Sequence, residues 1–191
     1  MDLHGFETDL LHKLQDTRRL ALIGIGADLR EDDAVGTLLA RELIDEIDQG
    51  CHLPPGIDHE HSIDELVKVG GLLVINATVA PEQYITLVKE FAPDTVLLVD
   101  AAAMGKGVMP GDIAFIKETE LDASTFSTHT ISLRYFIEIL QTMGLRATFL
   151  IIGIQPGKLG YGEEISPHVA ETKVFLKSML LRYVRKTFMQ T

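Results

Sequence analysis

LALIGIGADLREDDAVG, residues Leu20–Gly36, passes from a strand to a helix within a few residues of chain. The apolar run from Leu20 to Ile25 is long enough for one buried strand, and Gly24 and Gly26 free the backbone for a sharp exit. Asp32 and Asp33 stand directly before a periodic apolar run. Val35, Leu39, Leu43 and Ile47 recur every four residues with Leu38 beside them, which is one face of a helix. An acidic pair at a helix start has a structural explanation, because carboxylates cap free N–H groups and suit the positive end of the dipole. Two adjacent carboxylates can also divide the work, one capping and the other facing a cleft.

The same alternation continues outward. Phe6, Leu10, Leu11 and Leu14 predict a short amphipathic helix on the domain surface. Leu72–Asn76 and Thr95–Asp100 read as the second and third core strands, with a helix from Pro81 to Phe91 between them. Residues 101–111 read as loop and Ile113–Lys117 as an edge strand. Ser132 is expected to cap a helix through Met143, and Ala147–Ile154 to form another apolar strand. After a glycine-rich loop over Gly153–Gly162, Ser166 and Pro167 open a long terminal helix. Its basic end, Arg182, Arg185 and Lys186, suits the negative end of the dipole. After the Val35–Ile47 helix, Gln49–Gly71 reads as a loop or insertion followed by a short helix from Ser62. Apolar strands alternating with amphipathic helices predict an α/β fold, a three-layer αβα arrangement with a mostly parallel, doubly wound sheet. Residues 1–191 read as one domain, without internal repeat or linker.

Composition excludes several classes. The net charge of −11 argues against nucleic acid, which needs a basic face. No apolar run approaches the roughly 20 residues of a membrane helix, and the N-terminus has no basic-then-apolar signal pattern. With Cys51 as the only cysteine, an internal disulfide is impossible, and cytoplasm is the expected location. Cys51, His52, His59 and His61 invite a metal reading, but their spacing fits no standard zinc pattern, and acid–histidine loops are usually solvated.

In parallel sheets, ligands gather beyond the carboxyl ends of the strands. Asp33 follows the first strand, Asn76 ends the second, Asp100 ends the third, and all three are expected to face one crevice. His129, in FSTHTIS, sits on a loop just before a helix. Two carboxylates and an imidazole converging there make an open site for a borderline divalent ion such as nickel or zinc. A dinucleotide reading fails because Gly24-Ile25-Gly26 is followed by Leu29 where G-x-G-x-x-G needs glycine. No G-x-x-x-x-G-K-S/T pattern occurs either.

GIGADLREDDAVG, LLVDAAAMG, STHTISLRYFIEIL and GIQPGKLGYG follow one another in that order. Together they resemble the hydrogenase maturation endopeptidases, which process the large subunit of nickel–iron hydrogenases, and most closely the branch serving hydrogenase 3-type enzymes. The resemblance covers roughly Leu20–Gly162. It implies that the family's metal-contacting and catalytic residues fall on Asp33, Asp100 and His129. It further implies removal of a C-terminal extension from a large-subunit precursor once nickel is inserted. The nickel is then supplied by the precursor, with zinc or cadmium able to substitute in vitro, and a monomer is expected. Three residues depart from the family pattern: Ala27 stands where Asn is usual, Glu31 where Gly is usual, and Asn76 where Asp is usual. Asn76 keeps open the alternative of a scaffold protein that checks nickel and binds the precursor without cutting it. No Ser-His-Asp or reactive-cysteine arrangement is apparent. A metal polarising the carbonyl and a metal that only positions the peptide both fit the sequence.

Overall fold

The computed structural model describes residues 2–50, 59–62, 65–121 and 130–189, without the side chains of 59–62, 130 and 131. Among the described residues, seven strands form one sheet in the order β2-β3-β4-β1-β5-β7-β6. They are β1 (Leu20–Ile25), β2 (His59–Ser62), β3 (Leu66–Val69), β4 (Leu72–Thr78), β5 (Thr95–Ala101), β6 (Ile113–Ile116) and β7 (Thr148–Ile154). The helices are α1 (Leu3–Lys13), α2 (Val35–Gly50), α3 (Ile85–Phe91), α4 (Thr130–Thr142) and α5 (Pro167–Phe188).

Period-two alternation along the strands sorts the core into two layers. Leu20 and Leu22 of β1 face one apolar cluster, with Leu39 and Leu43 of α2 and Leu176 and Leu180 of α5. Ala21, Ile23 and Ile25 face the other, with Val88 and Phe91 of α3 and Phe136 and Leu140 of α4. This is the expected αβα sandwich. The glycines at the head of the chain let α2 lie directly on the sheet. A Cβ on Gly24 would stand 2.0 Å from the Gly36 oxygen, and one on Gly36 would stand 2.3 Å from the Val99 oxygen. Helix α1 packs beside β6, where Phe6 stacks on Phe115 at 5.0 Å, and it sends Leu10 and Leu14 into the core.

Two sequence expectations change, and a third, the mostly parallel sheet, holds in part. Parallel pairing holds for the central strands β4, β1, β5 and β7, but β6 runs antiparallel to β7, and β3 antiparallel to both β2 and β4. The helix expected from Ser62 is instead the second half of this β2–β3 hairpin. The segment Leu66-Val67-Lys68-Val69 is β-branched with period two, burying Val67 and Val69 while Leu66 and Lys68 stay partly exposed. Helix α4 opens at Thr130, so Ser132 lies inside it rather than capping it.

Chain order fixes where a crevice opens. From β1 the chain crosses to β4 on one side, then returns past β1 to β5 on the other, so the winding direction reverses between β1 and β5. The loops leaving neighbouring strands diverge at such a switch point.

Candidate active site

Both acids singled out from the sequence lie at the β1/β5 switch point. Asp33 belongs to a single 3₁₀ turn, Glu31–Ala34, between β1 and α2. That turn packs against β5. Asp100 is the penultimate residue of β5, one step beyond the Gly24–Val99 pairing that binds β5 to β1. Both side chains are buried, Asp33 at 1% and Asp100 at 2% exposure. Carboxylates are almost never buried to this extent without a partner or a task. Asp33 Oδ2 accepts the Ala27 N–H at 3.2 Å. Asp100 borders a small cavity with Ala102, Leu121, Ile151 and Leu133 of α4.

Asn76, on β4, is also buried and sits in register with Gly24. Alternation along β4 aims it to the α2 side of the sheet with Leu72 and Val74, whereas Asp100 alternates with Val99 and points to the α4 side with Val96 and Leu98. His129 lies outside the described residues, as do Cys51 and His52 and the side chains of His59 and His61. Helix α4 nevertheless begins at the next residue, Thr130, and its first turns pack on the face that holds Asp100. Among the described residues no three His, Cys, Asp or Glu side chains cluster to hold an ion.

Asp32 and Asp33 do divide the work, but neither half matches a simple helix cap. Asp32 is fully buried, and its carboxylate reaches across the structure to the segment after β7. It accepts Gly157 N–H at 2.7 Å and Lys158 N–H at 2.8 Å on Oδ2. Ser166 donates to it twice, N–H at 2.5 Å and Oγ at 2.9 Å. Four donors thus engage the Asp32 carboxylate, three on Oδ2 and one on Oδ1, so its task is to hold this segment in place. Ser166, placed to cap α5, makes no side-chain cap bond because its hydroxyl is given to Asp32.

Sequence reasoning passed over Glu31 as a structural element. It sits at φ 49°, the left-handed region that glycine occupies without penalty. Its side chain turns to accept Gly160 N–H at 2.8 Å, and its backbone N–H donates to the Gly162 oxygen at 2.9 Å. Gly162 N–H in turn donates to the Leu29 oxygen at 3.1 Å. The glycine-rich segment after β7 is therefore laced onto the β1–α2 turn by Glu31 and Asp32 together. The only sequence signal for this was two unusual segments in one chain, which says nothing of their meeting.

Fold and site together define a doubly wound α/β protein with two buried carboxylates, Asp33 and Asp100, at its switch point. A family model described as hydrogenase maturation protease (HycI) matches residues 61–182. A Methanocaldococcus jannaschii protein assigned to the hydrogenase maturation proteases is 33% identical over 147 residues, 77% of this chain and 78% of its own. The hydrogenase 3 maturation protease of Escherichia coli K12 is 30% identical over 141 residues, 73% of this chain and 74% of its own. The structure of the NiFe-hydrogenase maturation protease HycI from Thermococcus kodakarensis KOD1 aligns with a TM-score of 0.71 and 25% identity. It covers 93% of this chain and 99% of that one. The chain belongs to the hydrogenase maturation protease family, and its class is that of a peptidase.

Proposed function

We propose that this protein is the endopeptidase that removes the C-terminal extension of a nickel–iron hydrogenase large-subunit precursor after nickel insertion. The observation that carries this is the burial of Asp33, in the turn after β1, and of Asp100, near the end of the neighbouring strand β5, at the switch point. Burial of two carboxylates is costly, and an incoming cation offsets the cost. The donor set of Asp33, Asp100 and His129 suits a borderline divalent ion such as the precursor's own nickel. Such an ion, brought by the substrate, supplies a fixed positive charge beside the scissile bond. Asp33 and Asp100 hold the precursor's nickel end, and the laced loops keep their geometry while the peptide enters. Zinc and cadmium are expected to occupy the same donors in vitro.

The enzyme is expected to act as a monomer in the cytoplasm. Among the described residues no helix is long and apolar enough to cross a membrane.

The test is a mass measurement on nickel-loaded precursor incubated with the protein. Loss of the C-terminal extension supports the protease. An intact mass with a stable complex supports the nickel-checking scaffold instead.

A further inference from the structure

A single leucine on a surface needs no explanation, but a cluster of large apolar side chains held in water does. Among the described residues, nine such side chains are exposed. Leu11, Tyr135, Met143 and Val174 lie on helices or at a helix end. The other five all sit at one end of the sheet, the carboxyl end of its parallel strands. They are Leu29 after β1 (59% exposed), Val79 after β4 (46%), Met109 between β5 and β6 (66%), and Leu159 (41%) and Tyr161 (91%) after β7. Four separate connections thus present apolar groups at the end of the sheet where Asp33 and Asp100 lie.

These loops are pinned to one another. Arg30 Nη2 donates to the Leu159 oxygen at 3.2 Å, and Gly162 N–H donates to Leu29 at 3.1 Å. Gly26 N–H donates to the Thr78 oxygen at 2.9 Å, which fixes the start of the Val79 loop. Gly111 N–H bonds to Gln155 at 2.9 Å, and Pro110 lies against Gly157, which brings the Met109 turn to the loop after β7. Much of the ordering entropy that a mobile loop would lose on binding is therefore already spent.

We propose that Leu29, Val79, Met109, Leu159 and Tyr161 form the docking rim for the hydrogenase large-subunit precursor. The rim grips apolar side chains of the precursor around the segment that enters the crevice. This rests on the protease reading above. The occupant follows from position and charge. Only a chain that must deliver a bond to Asp33 and Asp100 gains from a grip arranged around them. A second copy of a chain with net charge −11 meets like-charge repulsion, as does an anionic lipid surface.

The test measures the dissociation constant of nickel-loaded precursor for the full-length protein, with cleavage followed separately by mass. Tyr161→Ser with Leu29→Ser, and independently Met109→Ser with Val79→Ser, should each weaken binding at least about tenfold, as loss of interface anchors does. Tyr135→Ser with Val174→Ser, on helix faces, should bind as the parent does. All six side chains are exposed, so the variants should fold, and circular dichroism checks this. Rim variants that bind within twofold of the parent overturn the proposal, as does equal weakening by the helix-face variant. If sedimentation shows the parent as a dimer that the rim variants dissociate, the occupant is a second copy and the proposal fails. If the parent binds precursor without shortening it, the protease reading fails. The binding ratios then still decide whether the rim is the docking surface.

Discussion

Asp32→Asn isolates the clamp from the crevice, because it keeps the size of the side chain and changes only what it can accept. Four donors converge on the native carboxylate: three backbone N–H groups and the Ser166 hydroxyl. If the new amide nitrogen takes the Oδ2 position, it opposes the N–H groups of Gly157 and Lys158. If it takes the Oδ1 position, it opposes only Ser166 N–H, so that orientation wins. One backbone donor is then buried without a partner, at a cost of about 1–3 kcal/mol. The three surviving bonds change from charge-assisted to neutral, losing on the order of 0.5–1 kcal/mol each. Relief from burying a charge offsets part of this. A net loss of about 3 kcal/mol corresponds to a fall in Tm of roughly 6–12 °C for a chain of this size. Circular dichroism melts measure it, and hydrogen exchange locates it: the amides of Gly157, Lys158 and Ser166 should lose protection first. A Tm within about 2 °C of the parent, with unchanged exchange at those amides, would refute the clamp.

Glu31→Ala keeps the left-handed backbone and removes the bond to Gly160, so it should cost about 1 kcal/mol. Glu31→Gly loses the same bond but relaxes the backbone, and should be the more stable of the two by about 1 kcal/mol in urea unfolding. Gly36→Ala forces a methyl against the Ile25 and Val99 oxygens and should destabilise by roughly 3 kcal/mol or abolish soluble expression. Asp100→Asn should slow cleavage of nickel-loaded precursor at least about 100-fold while the protein still melts cooperatively, measured by mass against time. Burial pushes the Glu42 carboxyl up, but hydrogen bonds and charge from Lys173 and Lys177 outweigh it and hold the group below its ordinary 4.5. A lowered folded value means that its stabilisation is present above pH 4.5 and is lost as pH falls through the folded value. Glu42→Gln should therefore melt below the parent at pH 7 and close the gap on acidification below pH 4.5.

What was legible in the chain followed from periodicity. Leu20–Ile25 and Thr95–Asp100 could be placed as buried strands because apolar runs of that length bounded by glycine or aspartate have few other uses. The four-residue repeat from Val35 gave α2 for the same reason. The β2–β3 hairpin escaped because four residues of Leu-Val-Lys-Val, beside a segment of mixed polarity, support a helix turn as readily as a strand. Only pairing with β4 decides between them. The strand-end rule placed Asp33 after β1 and Asp100 at the end of β5, but the expectation that Asn76 shares their crevice did not allow for the alternation that turns it to the opposite face from Asp100. The lacing of Glu31 and Asp32 to the loop after β7 was not legible, because a contact across more than 120 residues leaves no local pattern.

The lacing fixes the turn that carries Asp33, the carboxylate to which the proposed function gives a part in holding the precursor. Asp33 follows Asp32 directly, so whatever fixes the Asp32 backbone also fixes where the next side chain points. Asp32 is held from the β7 side, while Asp33 N–H donates to the Arg30 oxygen at 3.1 Å within its own turn. On the other flank, Gly26 at φ 150° brings the backbone close enough that a Cβ there would stand 1.9 Å from the Asp33 oxygen. The turn is thus pressed from the strand it leaves and pulled from the loop it never touches in sequence. A free loop would have to be ordered anew each time a precursor arrived, at about 1–2 kcal/mol per residue fixed. Here that cost is met once, in folding, and Asp33, the residue beside the clamp, is held in place with it.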